Sequence, residues 1–258
     1  MKKNPHGGAT LLAAQFVLPA AVLFFTFAAA AQATNTLSDA EIKGRQLARQ
    51  ILDRLAETPA ENSTHTGVLK IRDTKGKTSE IPIHCDIVVT ATNWSTVYET
   101  LPAAKAGDLE TLTVMHQPLS PYDLSYRVTG QKGGSSAGDT TLPFAGSDFL
   151  VGDLSLEFLY WPEQKILKRE THRTRDCSVL ESTNPNPPVN GYSRTVSWVD
   201  NESLGIVEAY AYDVNGKKLK DFYPKDFKKV DGQWQVQTLV MENVQTGTRS
   251  RLEFDLKK

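Results

Sequence analysis

Three punctuated stretches near the end of the chain decide the fold: Ala211-Tyr212-Asp213-Val214-Asn215-Gly216-Lys217, Val230-Asp231-Gly232-Gln233-Trp234 and Met241-Glu242-Asn243-Val244-Gln245-Thr246-Gly247. Asn-Gly and Asp-Gly supply the positive φ that a tight type I′ turn requires, which makes them strong local hairpin signals. The dipeptides Asn215-Gly216, Asp231-Gly232 and Thr246-Gly247 fall sixteen and then fifteen residues apart, the spacing of a meander of seven-residue strands. The run from Ser193 to Phe254 therefore predicts an antiparallel sheet with at least one curved, half-buried face.

Strand patterns continue upstream of the meander. Val68–Arg72, Glu80–Thr92, Thr96–Leu101, Leu109–His116, Tyr122–Val128, Lys165–Val179 and Gly191–Val199 read as strands. The segment Asn184–Val189 is a Pro-rich loop, and Gly133-Gly134-Ser135-Ser136 is a flexible one inside the domain. Ahead of the strands, Ser38-Asp39-Ala40-Glu41 is a capping box that opens a helix reaching about Glu57, ended by Thr58-Pro59. Ile42, Ala48, Ile51, Leu52 and Leu55 form its apolar stripe, which must lie on something, most simply the sheet. One apolar segment does not read as a strand. Ser147 to Pro162 reads as one or two short helical turns, with Ser147 and Asp153 as N-caps and Pro162 as the stop. Phe149, Leu150, Leu154, Phe158 and Trp161 recur every three or four residues along it and are expected to share a face.

The chain begins as a targeting segment. Lys2 and Lys3 precede an apolar stretch from Ala9 to Ala31, which ends in Ala31-Gln32-Ala33. This pattern predicts residues 1–33 to be a signal peptide cut after Ala33, leaving an exported domain at 34–258; an uncleaved anchor is the alternative. The net charge of −1 excludes the basic footprint of a nucleic-acid binder. Cys85 and Cys177 are the two cysteines. In an oxidising compartment they can form a disulfide, worth about 4–5 kcal/mol in the chain-entropy model. Buried free thiols are the equal alternative.

No catalytic constellation emerges from the pattern. The chain has no H-E-x-x-H and no phosphate-loop lysine. His84-Cys85-Asp86 is compact, but neighbouring strand residues point to opposite faces. Asp153 and Glu157 read as helix charge near a cap. The expectation is a non-enzyme without cofactor or metal. What remains is apolar surface: Leu239 and Met241 on one strand, Leu252 and Phe254 on the next, with the helical segments near Ile51 and at Phe149–Trp161 as a lid over a concave sheet face, hence a ligand cavity.

The order Ser147-Asp148-Phe149, Asp153-Leu154, Ser197-Trp198-Val199-Asp200, Asn215-Gly216-Lys217, Asp231-Gly232-Gln233-Trp234, Met241-Glu242-Asn243 and Thr246-Gly247 resembles the outer-membrane lipoprotein-sorting proteins, the LolA/LolB-like superfamily. The resemblance covers roughly Phe144 to Phe254. It implies a mainly β fold: an unclosed antiparallel barrel with an apolar interior, a leading amphipathic helix and short lid helices. It implies a periplasmic carrier of lipids or acylated lipoproteins, with inner- or outer-membrane proteins as partners. A lipid-binding periplasmic sensor of the envelope is the alternative.

Overall fold

The computed structural model describes residues 36–101, 109–116, 123–128, 139–189, 191–230 and 232–256. The targeting segment at 1–33, the Gly133–Ser136 loop and Asp231 of the second hairpin turn lie outside these residues. The first helix, α1 (Asp39–Leu55), opens as its capping box requires. The Ser38 hydroxyl accepts from the Glu41 N–H at 3.3 Å, and the Glu41 carboxylate accepts from the Ser38 N–H at 2.7 Å. Ala48 and Ile51 are buried, but Ile42, expected in the stripe, is exposed. The contact is displaced toward Gly44, where a Cβ would stand 2.5 Å from the Gln164 backbone. Only glycine allows the helix to come that close.

The chain then runs through β1 (Ser63–Arg72), β2 (Thr78–Val89), β3 (Trp94–Thr100), β4 (Glu110–His116) and β5 (Asp123–Val128). A non-strand segment follows: a 3-10 turn at Phe144–Gly146, the short helix α2 (Val151–Leu154) and a second 3-10 turn at Glu157–Tyr160. The remaining strands are β6 (Glu163–His172), β7 (Arg175–Thr183), β8 (Arg194–Asp200), β9 (Ile206–Tyr212), β10 (Lys218–Val230), β11 (Gln233–Asn243) and β12 (Thr248–Asp255). Among the described residues the strands form a single twelve-stranded antiparallel sheet in the order β5-β4-β3-β2-β1-β12-β11-β10-β9-β8-β7-β6. Apart from the β1–β12 pairing, every neighbour in this order is a chain neighbour. The edges are β5 and β6, and the non-strand segment is the connection between them.

The turns differ from expectation in two ways. Gly216 and Gly247 hold φ of 76° and 74°, but Asn215 and Thr246 stay out of the left-handed region, so these are not type I′ turns. Each loop starts one step earlier. The Asp213 carboxylate accepts from the Asn215 and Lys217 N–H groups, both at 2.8 Å, and the Asn243 carboxamide accepts from Gln245 and Thr246. Glycine then supplies the left-handed residue that returns the chain to the next strand. The second difference is a missed hairpin. The single strand expected at Lys165–Val179 is two strands, β6 and β7, reversed at Arg173 and Thr174 with φ of 46° and 66°. Neither residue signals a turn. Arg173 is held there from outside, by the Glu208 carboxylate at 2.8 Å and the Tyr223 ring at 4.5 Å.

One apolar cluster joins Tyr126 on β5, Leu112 and Val114 on β4, Ile83 on β2, Leu69 on β1, Leu252 on β12 and Met241 on β11 around Phe144, Phe149 and Val151. Strands six places apart in the sheet order can meet one short segment only if the sheet curls around it. A second cluster, at the β6 end, packs Ala48 and Ile51 of α1 against Phe158, Leu159, Leu180 and Val199. The end of the β10–β11 hairpin leaves Phe227, Trp234 and Val236 exposed.

His116 lies on the inner face, stacked on Trp94 with ring centroids 3.8 Å apart. Burial lowers its pKa to about 4. The unfolded chain therefore takes up this proton more readily than the folded one, and the contribution of His116 to stability, complete above pH 6.5, is lost as pH falls toward 4. At about 1.4 kcal/mol per pH unit the loss reaches about 3 kcal/mol. Denaturant unfolding at pH 7.0 and 4.5 should show His116→Gln losing less stability on acidification than the parent chain; equal losses would refute this.

Candidate functional site

The inner face of the curled sheet holds the predicted sheet residues together. Met241 and Leu252 are buried in the first cluster, with Leu239 and Phe254 packed against it. The register explains this: Leu239 pairs with Leu252, and Leu252 pairs with Leu69 across the β1–β12 junction. Side-chain alternation then places each partner on the same face.

The predicted lid does not share one face. Phe149 and Leu154 join the first cluster, whereas Phe158 and Trp161 join the second, beside α1. Leu150 belongs to neither cluster and lines a small cleft with Glu157 and Trp161. The cause is Leu156, whose φ of 52° and ψ of 41° break the helical spacing on which the expectation rested. The two halves also differ in what holds them. The second half is fixed to the sheet by Gln164, whose carboxamide nitrogen donates to the carbonyls of Phe158 at 3.0 Å and Trp161 at 2.9 Å while its oxygen accepts from Ser182 at 2.7 Å. The first half, residues 144–155, is a plug inserted into the barrel. Phe144, Phe149 and Val151 are its buried apolar residues, and only Phe149 of these was anticipated.

The plug is tethered by polar groups. At its entry the Glu110 carboxylate accepts from the Ala145 N–H at 2.7 Å and from the Tyr126 hydroxyl. Asp148 accepts from Thr248 at 2.6 Å and Ser250 at 2.8 Å, and its own N–H donates to the Ser250 hydroxyl. Asp153, expected as an N-cap, is the third residue of α2 instead. Its carboxylate accepts from the Leu150 N–H at 2.8 Å and the Tyr192 hydroxyl at 3.0 Å, with the Lys220 ammonium at 3.9 Å. Lys220 donates to the Asp148 carbonyl. Burial raises the pKa of Asp153 and lowers that of Lys220, each against the pull of the other's charge. Ala145, Gly146 and Leu156, all with positive φ, bracket the plug. The non-glycine ones store about 1–2 kcal/mol each.

Below the plug the sheet floor is made of small side chains. Thr195, Ala209 and Ala211 line one wall of a cavity of about 20 Å³ completed by Asp153, Leu156, Phe158, Tyr192, Lys220, Phe222 and Met241. That is room for about one water. Cys85 and Cys177 are free and buried, on β2 and β7, seven places apart in the sheet order and on opposite faces. Burial raises the Cys85 thiol to about 12, so it remains protonated. Among the described residues no cluster of three His, Cys, Asp or Glu could hold a metal ion, and no helix is long and apolar enough to cross a membrane.

The open antiparallel half-barrel is a fold shared with solved proteins, one of them described as a LolA superfamily protein. Comparison with solved structures shows the same fold. The chain is 19% identical to a domain from Vibrio parahaemolyticus described as outer membrane lipoprotein-sorting, with a TM-score of 0.68 over 84% of this chain and 92% of that one. It is 20% identical to a DUF1329 family protein from Desulfovibrio piger, with a TM-score of 0.67 over the same shares. A LolA superfamily protein from Nitrosomonas europaea is 18% identical, with a TM-score of 0.58 over 81% of this chain and 91% of that one. A family model described as "Uncharacterized protein" matches residues 133–257. No curated protein matches the chain.

Removing one partner of a buried ion pair leaves an uncompensated charge, at a cost of about 3–5 kcal/mol. Asp153→Ala and Lys220→Ala should each lower unfolding free energy by about that much in urea titrations. The pair Asp153→Leu with Lys220→Met should lose less than the sum of the singles. Strict additivity would show that the two groups are not coupled.

Proposed function

We propose that this protein is a periplasmic carrier or binder of lipids or acylated lipoproteins, and that its cargo takes the place of the plug on the inner face. The observation that carries this reading is the plug itself. A continuous apolar face built from Leu69, Ile83, Leu112, Val114, Met241 and Leu252 is covered not by a second sheet but by one short segment with left-handed residues at both ends. A structural core has no need of a removable cover. The fold shared with the lipoprotein-sorting domain from Vibrio parahaemolyticus agrees with the reading.

The energies suit reversible exchange. Burying Phe144, Phe149 and Val151 is worth about 1.5–3 kcal/mol each. Burying an acyl chain of about fifteen methylenes is worth about 12 kcal/mol. Cargo therefore outbids the plug's apolar contacts, and the polar tethers reduce the surplus further. The closed cavity is far smaller than the roughly 300–1,000 Å³ of a ligand pocket, so the plug has to leave before an acyl chain enters. Leu156 is the hinge this requires, because Gln164 and α1 hold everything beyond it.

A crosslink tests the mechanism. Asp148 and Ser250 are bonded side chain to side chain at 2.8 Å, so Asp148→Cys with Ser250→Cys can fasten the plug to β12. The oxidised variant should lose binding of a neutral fluorescent lipid dye, and reduction of the same sample should restore it. Equal binding in both states would show that the plug does not gate the inner face.

A further inference from the structure

Among the described residues, the counter-charges of the buried cation Lys220 all belong to the plug. Lys220 is 8% exposed on the inner face of β10. Its ammonium lies 3.9 Å from the Asp153 carboxylate and donates to the Asp148 carbonyl. No described residue of the sheet supplies a counter-charge in exchange. Its cross-strand partners are Ala211 and Asn243, and its near neighbours on the inner face are Phe222 and Met241. Tyr192 adds only a ring face at 5.6 Å. When the plug leaves, Asp148 and Asp153 leave with it, and the ammonium is stranded on an apolar wall. A buried charge in that position requires a new partner of opposite sign.

The floor beside it holds a second unmet demand. The Thr195 hydroxyl, 3% exposed, belongs to a residue lining the same small cavity as Lys220 and has no hydrogen-bond partner among the described residues. The Ser197 hydroxyl, fully buried two residues along β8, has none either. A cation and an unpartnered hydroxyl lining one cavity are donors of the kind an oxyanion needs, and Met241 of the same lining belongs to the apolar cluster with Leu252 and Leu69.

We propose that Lys220, with Thr195 beside it, is a head-group site: the opened barrel binds a lipid with an anionic oxyacid head, carboxylate or phosphate, at the ammonium, while the chain occupies the place of Phe149 and Val151. Asp153 is then an internal stand-in for that head in the closed protein. The inference rests on the carrier reading above and names the class of cargo that reading leaves open.

The test compares three ligands of equal chain length, dodecanoate, dodecyl phosphate and dodecanol, by displacement of the neutral dye N-phenyl-1-naphthylamine. The parent protein should bind one or both anionic ligands at least tenfold more tightly than the alcohol, and which of them is favoured identifies the head. In Lys220→Met the ratio should fall to about one, while Lys220→Arg should keep the preference. Because Lys220→Met strands Asp153, the double variant Lys220→Met with Asp153→Asn is run alongside, with the same loss of preference expected. Equal affinity of the parent for all three ligands would overturn the head-group site and leave the carrier reading standing. So would an unchanged preference in both methionine variants. Binding of neither dye nor ligand would overturn the carrier reading, and this inference with it.

Discussion

A sheet that curls without closing has an inner face that must be covered, and in this protein one short segment covers it. Twelve strands are more than an open sheet carries flat, and curling gathers the apolar side chains of β1, β2, β4, β5, β11 and β12 onto one concave surface. That surface cannot be left to water. The chain solves the problem with the connection between the two edge strands, which crosses the interior and drops Phe144, Phe149 and Val151 into it. The small floor under β8 and β9, the left-handed residues at Ala145 and Leu156, and the clamp at Gln164 all follow from fitting a non-strand segment into that space.

Much of this was legible from the sequence. Glycine-containing turns and alternating strands announced the meander, and the capping box placed α1 within two residues at its C-terminal end. Leu239, Met241, Leu252 and Phe254, which alternate in the sequence, meet at one apolar cluster. Failures came where long-range contacts overrule local preference. Nothing in Arg173-Thr174 announces a turn, because the residues that fix it, Glu208 and Tyr223, lie on strands folded next to it. Helical spacing grouped Phe149 with Phe158, but one left-handed residue at Leu156 sends them to different clusters.

Lys220 is the most instructive case. In Lys217-Lys218-Leu219-Lys220-Asp221 it looks like any solvated charge on a hairpin strand. A register shift between Lys218 and Lys220 changes that. Lys218 reaches the Tyr210 ring and Asp221, whereas Lys220 turns inward beneath the plug. A bulge is a backbone event set by strand pairing, and the lysine side chain carries no trace of it.

The plug is therefore held by two kinds of force with different consequences. Its apolar residues make contacts that any hydrocarbon can replace, so they select for hydrophobicity and nothing finer. Its carboxylates do otherwise. Asp148 and Asp153 bind Ser250, Thr248, Tyr192 and Lys220 through directed hydrogen bonds and charge, which a hydrocarbon cannot reproduce. An incoming molecule that fills the volume but leaves those groups unsatisfied pays their desolvation in full. One that satisfies them does not. On the proposed carrier mechanism, the hydrophobic contacts set whether the barrel can open for cargo, and the buried polar tethers set which cargo keeps it open.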